Sequence, residues 1–122
     1  MTAAKKKVLC VDDDLTGLVI RAMVLEKYGY DVITASDGEQ ALKLFRANDF
    51  DAVLIDYYMP MVDGAYVAKA MRHLKPEVPI VMISAAIALP SDALRDTDAF
   101  VAKGISPVEM TQVIEKVLHH AA

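Results

Sequence analysis

The chain has 122 residues, 55% of them hydrophobic and 25% charged, with 13 Lys and Arg against 17 Asp and Glu. That balance predicts one globular domain over 1–122, including a lead-in over about 1–6, and its net charge of -4 speaks against the nonspecific grip on nucleic acid that clustered cations give. No apolar run reaches bilayer length, no signal-peptide pattern surrounds Lys5-Lys6-Lys7, and Cys10 has no second Cys to pair with, so a cytoplasmic protein without membrane contact is expected.

Val8-Leu9-Cys10-Val11 is a short apolar run, read as a first strand, and it ends in Asp12-Asp13-Asp14. From Leu15 the period changes. Leu15, Leu18, Val19, Ala22 and Met23 recur at helical spacing, with Asp14 placed to cap the helix and Gly29 to close it. Asp31 to Ala35 forms a second strand, and Ser36-Asp37-Gly38-Glu39-Gln40 supplies caps for a second helix whose inner stripe is Ala41, Leu42, Leu44 and Phe45. Ala52 to Ile55 is apolar throughout, the mark of a strand buried on both faces, and it stops at Asp56 before a loop holding Pro60 and Gly64. A third helix runs from Gly64 to about Leu74 and ends near Pro76, with Val67, Ala68, Ala70, Met71 and Leu74 on its apolar face.

Pro79 to Ile83 is a fourth strand, ending at Ser84. The following stretch to Asp98 has room for a turn or two of helix at most, because Pro90 and Asp96-Thr97-Asp98 confine it. Ala99 to Ala102 is a fifth strand ending at Lys103, and a last helix starts at about Pro107 with Met110, Val113, Ile114, Val117 and Leu118 repeating inward. Met23, Met71, Met82 and Met110 are expected in the core. His73, His119 and His120 lack metal-site spacing and read as ordinary helix residues.

Five strands alternating with helices predict an α/β fold, one parallel sheet covered on both faces. Parallel strands would bring Asp12, Asp13, Asp56, Ser84 and Lys103 to one edge of the sheet, where open α/β sheets bind ligands. Carboxylates packed together repel unless a cation neutralises them. Mg²⁺ suits them, because it takes carboxylate and carbonyl oxygens and leaves room for a phosphate oxygen. A carboxylate can attack phosphorus to give an aspartyl phosphate, with Lys103 supplying positive charge and the Ser84 hydroxyl a hydrogen bond.

Along essentially its whole length the chain resembles a response-regulator receiver domain of two-component signalling, the family of the chemotaxis regulator. The resemblance implies a flavodoxin-like three-layer sandwich with strand order 2-1-3-4-5. It also implies roles. Asp56 in Leu54-Ile55-Asp56-Tyr57-Tyr58-Met59-Pro60 is similar to the phosphoacceptor; Asp13 to a direct Mg²⁺ ligand, Asp12 to the holder of a metal-bound water, and Tyr58 to the donor of a backbone carbonyl. Ser84 matches the switch hydroxyl, Phe100 the aromatic switch and Lys103 the site lysine. A histidine kinase or phosphotransfer protein would donate the phosphoryl group, and a downstream protein target or fused output domain would read the changed surface, with room for a weak homodimer. The domain would be a signalling phosphoacceptor with intrinsic self-phosphorylation and autodephosphorylation, and not otherwise an enzyme.

Departures from the family pattern are informative. Gly104 stands where the family usually has a proline after its lysine, so a trans peptide is expected there, with glycine's backbone range absorbing the difference. The stretch from Ser84 to Lys103 is short, which implies a truncated or irregular fourth helix. Tyr58 and Ala86, bulky and apolar two residues beyond Asp56 and Ser84, imply slow autodephosphorylation. Among alternatives, a flavodoxin-type cofactor binder would have its phosphate repelled by Asp12-Asp13-Asp14, and an aspartyl-nucleophile phosphatase lacks a second acid close after Asp56. A pseudo-receiver, acting as a phosphorylation-independent interaction module, is the remaining alternative.

Overall fold

A computed structural model describes residues 5–85, 89–90 and 92–121, with the side chains of 120 and 121 excluded; Ala86 and the His120 side chain thus lie outside the described residues. In chain order the elements are β1 (Lys7–Val11), α1 (Leu15–Lys27), β2 (Asp31–Ala35), α2 (Gly38–Ala47), β3 (Ala52–Asp56), α3 (Gly64–Leu74), β4 (Ile80–Ser84), β5 (Ala99–Ala102) and α4 (Pro107–Ala121). The strands form one parallel sheet in the order β2-β1-β3-β4-β5, a flavodoxin-like fold as expected. The unbroken apolar runs of β3 and β4 are explained by position: every residue of both strands is buried.

The sheet separates two cores. Beneath α2 and α3, Leu9, Val11, Phe45, Val53, Ile55, Met71 and Met82 pack together; beneath α1 and α4, Val8, Cys10, Leu18, Leu25, Leu54, Val81 and Ile114 do so. Alternate residues of each central strand serve opposite cores, as the two-residue period of a strand requires.

Two local features follow from chemistry legible in the chain. Gly29 takes φ 96° past the end of α1, and the amides of Gly29 and Tyr30 donate to Glu26 O and Leu25 O at 3.0 and 3.1 Å, a Schellman closure. Asp37 caps α2 by accepting from Gln40 N at 2.7 Å, while Gln40 Oε1 accepts from Ser36 N at 2.8 Å.

The first helix differs from its expected orientation. Leu18, Ala22 and Leu25 are its buried residues, whereas Leu15, Val19 and Met23 are exposed, so Met23 is not a core methionine. Met71, Met82 and Met110 are buried as anticipated. Asp14 occupies the N-cap position of α1 without a side-chain cap bond.

Among the described residues between β4 and β5 there is no α-helix. Successive turns take its place, with Ala93 N, Arg95 N and Thr97 N bonded to Pro90 O, Asp92 O and Leu94 O at 2.9, 3.2 and 3.1 Å. The connection is pinned by Arg72 at the end of α3. Its guanidinium donates to Asp96 O at 2.9 Å and Asp98 Oδ2 at 2.6 Å, and Asp98 Oδ2 also accepts from Ile80 N at 2.8 Å.

Candidate functional site

The parallel register assembles the site. Val11 pairs with Ala35 and Ile55, Asp56 with Ile83, and Ser84 with Ala102, so the strands finish at one level. Ladder-like bonds continue one residue further: Asp12 N donates to Ala35 O at 3.1 Å, Tyr57 N to Ile83 O at 2.9 Å and Lys103 N to Ser84 O at 2.9 Å. The residues that carry charge are therefore placed by backbone, with little freedom to drift.

Asp12, Asp13 and Asp56 each present a carboxylate oxygen within 4.8 Å of the others. Asp12 and Asp56 are buried and Asp13 is exposed. Lys103 Nζ lies 3.1 Å from Asp56 Oδ2 and 3.5 Å from Asp12 Oδ2, linking the two buried acids. Asp12 Oδ1 accepts from Asp14 N at 2.9 Å. Arg21, from within α1, is hydrogen-bonded to Asp12 Oδ2.

One atom is left over. Asp56 Oδ1 is buried and has no hydrogen-bond partner among the described residues. A buried carboxylate oxygen without a partner is costly, by about 1 to 3 kcal/mol or more for a charged group, so this position calls for a donor or a cation. Three acid oxygens, with no His or Cys in the cluster, suit a hard oxygen-seeking ion such as Mg²⁺ and not a softer transition metal.

The other expected residues lie around this centre in different states. Ser84 is fully buried at the end of β4, beside the strand that carries Asp56. Phe100, opposite Met82 on the edge strand β5, is 37% exposed. Tyr58 is exposed and meets Tyr57 edge-on with ring centres 4.7 Å apart. Among the described residues no peptide is cis; Gly104 has φ 92°, a left-handed conformation in which glycine is at ease, and Lys103 still reaches both acids.

Three residues of the site were not anticipated. Gly64 approaches the end of β3 so closely that a Cβ would lie 2.3 Å from Asp56 O, and its amide donates to Tyr57 O at 2.7 Å. Arg21 reaches Asp12 from α1, and Gly17, one turn earlier, lies against its guanidinium. Their signal was present as the lone charge inside the apolar run Leu18 to Leu25, with a glycine four residues before it. Below the site, burial pushes the Cys10 thiol up to about 12, against the opposing pull of Arg21. Burial likewise lowers Arg21, with Cys10 and Asp56 pulling the other way.

The sheet order, the acid cluster and the lysine that bridges it define a class of protein, and sequence comparison gives the same class. The chain belongs to the response regulator receiver domain family, whose profile matches residues 8–115. It is 35% identical over 119 residues to the alkaline phosphatase synthesis transcriptional regulatory protein PhoP of Bacillus subtilis, a match covering 95% of this chain and 50% of that protein. It is 41% identical over 120 residues to the probable transcriptional regulator ycf27 of Guillardia theta, covering 93% of this chain and 46% of that one. The chain thus spans about half the length of these curated relatives. Among solved structures, a CheY-like response regulator receiver domain protein from Methanospirillum hungatei superposes with a TM-score of 0.92 at 25% identity, covering 97% of both chains. The response regulator TrrA of Thermotoga maritima, solved in complex with Mg²⁺-BeF, superposes with a TM-score of 0.87 at 31% identity, covering 92% of this chain and 98% of that one. Among the described residues no helix is long and apolar enough to cross a membrane.

Proposed function

We propose that this receiver domain accepts a phosphoryl group on Asp56 from the phosphohistidine of a histidine kinase or phosphotransfer protein. The observation that carries the reading is the state of Asp56: buried, bridged through one oxygen to Lys103, and with its other oxygen lacking a hydrogen-bond partner among the described residues. A carboxylate oxygen of Asp56 forms the new bond to phosphorus while the bond from phosphorus to the donor imidazole nitrogen breaks, and the imidazole leaves with its electron pair and is protonated. Lys103 holds Asp56 in place and stays beside the charge that develops on the phosphoryl oxygens. Ser84 offers its hydroxyl to one of those oxygens. Asp13, Asp56 and the backbone carbonyl of Tyr58, with Asp12 acting through a bound water, would hold Mg²⁺, which would supply positive charge to the carboxylate and phosphoryl oxygens.

Phosphorylation adds a nearly doubly charged group that Ser84 and Lys103 engage by moving toward it. Phe100, 37% exposed in this structure, then turns inward into space that Ser84 gives up, and the surface around the β4–β5 connection changes for a protein target or a fused output domain. Relatives of twice the length that are named transcriptional regulators support an output of that kind. Leu15, Val19, Ile20 and Met23 make an exposed apolar stripe on the helix that begins beside the acid pocket, consistent with a protein partner docking there. We take the domain to be cytoplasmic, with the kinase, and to phosphorylate itself from small phosphodonors and dephosphorylate itself with no other catalytic activity.

Incubation with acetyl phosphate and Mg²⁺ tests the reading. One acid-stable, hydroxylamine-labile phosphoryl group is expected, and Asp56→Asn should remove it. Uptake that survives Asp56→Asn would refute the choice of acceptor, and absence of uptake would favour the pseudo-receiver.

A further inference from the structure

The acid pocket is faced by two cations from different elements, Lys103 beyond β5 and Arg21 from within α1. Arg21 interrupts an apolar run, and its neighbours Leu18, Ala22 and Leu25 are the buried residues of the helix. A partly buried guanidinium carries a desolvation cost, and its bond to Asp12 offsets it. Gly17, one turn earlier, leaves the necessary space: a Cβ there would lie 3.3 Å from both Nη atoms and 2.9 Å from Asp14 Oδ2. Arg21 also lines a cleft of about 270 Å³ with Ile20, Val24, Ile105 and Met110, which gives the guanidinium somewhere to withdraw.

We propose that Arg21 is a tethered counter-cation that competes with Mg²⁺ for Asp12, holding the pocket together without metal and keeping its metal affinity low. The inference rests on the Mg²⁺ part of the function proposed above. Three carboxylates stand against two cations, so with every group ionised the incoming ion meets an excess of one negative charge. Without Arg21 it meets two. At close range a unit charge changes the affinity for a divalent ion by about tenfold or more. Arg21 is a positioning residue: it acts through Asp12 and Asp56.

Calorimetric titration with Mg²⁺, paired with thermal melts in EDTA, separates this role from plain packing. Arg21→Met is expected to bind Mg²⁺ about tenfold or more tightly than wild type. Its metal-free melting temperature should fall and its gain on adding Mg²⁺ should exceed that of wild type. Arg21→Lys keeps the charge and should stay near wild type. If Arg21→Met does not fold, Gly17→Ala crowds the guanidinium without deleting it and should shift affinity in the same direction by less. Equal or weaker affinity in a folded Arg21→Met, with acetyl phosphate labelling of Asp56 intact, would overturn the inference alone. No Mg²⁺ binding by either protein would overturn it together with the metal part of the function.

Discussion

Gly64 lies against the backbone of Asp56 and Gly104 follows the lysine that bridges to it, and substitution should expose two different reasons for glycine. At Gly64 the reason is space. An alanine Cβ would stand 2.3 Å from Asp56 O, 2.9 Å from Tyr57 Cα and 3.0 Å from Asp56 C, all backbone atoms that no rotamer change can move. Overpacking of that kind belongs at the upper end of about 1 to 3 kcal/mol. Alanine recovers up to about 1 kcal/mol by restricting the unfolded chain, which leaves Gly64→Ala about 2 kcal/mol less stable. For a domain of this size that is a fall of about 8 °C in melting temperature. Since the atoms displaced are the backbone of Asp56, acetyl phosphate labelling should slow as well. At Gly104 the reason is conformation: nothing lies within 4 Å of a Cβ, but φ is 92°. Gly104→Ala should cost about 1 to 2 kcal/mol, and Gly104→Asn, more tolerant of left-handed backbone, should recover part of it. Thermal melts of the three variants with labelling rates decide the matter. A Gly64→Ala protein that melts within about 2 °C of wild type and labels normally would refute the steric argument.

Other outcomes follow from single contacts. Cys10, held protonated by burial, should not react with a thiol reagent at neutral pH until the protein is unfolded; because its folded value is about 12 against an ordinary 9.0, the unfolded state ionises first, and stability should fall with rising pH above 9 by up to about 1.4 kcal/mol per pH unit relative to Cys10→Ala. Reaction at the native rate of an exposed thiol would contradict it. Arg72→Ala removes the bonds to Asp96 O and Asp98 Oδ2, partly exposed, and should lower stability by about 1 to 2 kcal/mol in urea unfolding, loosening the β4–β5 connection. Tyr58→Asn replaces an exposed aromatic two residues beyond Asp56 with a group that can orient water, and should shorten the phosphoryl lifetime on the acceptor proposed above several-fold; an unchanged lifetime would remove Tyr58 from the kinetics.

The strand ends were legible because burial on both faces writes itself as unbroken apolarity. Ala52 to Ile55 and Ile80 to Ile83 have no polar residue until the chain surfaces, so Asp56 and Ser84 announced themselves by interrupting the run. Once the strands are parallel, their ends must coincide, and Asp12, Asp56 and Lys103 meet as charge requires. Gly64 could not be read in the same way. A glycine at the start of a helix has several causes, and the one that applies here, contact with the backbone of a strand eight residues earlier, exists only after α3 has packed.

The first helix shows where periodicity stops being informative. Leu15, Leu18, Val19, Ile20, Ala22, Met23, Val24 and Leu25 are apolar almost all round, so several faces satisfy a helical repeat equally well. What selects Leu18, Ala22 and Leu25 is tertiary: the ladder that contacts Val8, Cys10 and Ile114 also brings Arg21 onto Asp12. The buried ion pair and the buried apolar ladder therefore fix the rotation of α1 together, since turning the helix to bury Leu15, Val19 and Met23 would pull the guanidinium away from its carboxylate. The exposed apolar stripe is the consequence of that choice. A helix oriented by the charge it turns onto Asp12 leaves its surplus hydrophobic residues, Leu15, Val19, Ile20 and Met23, exposed.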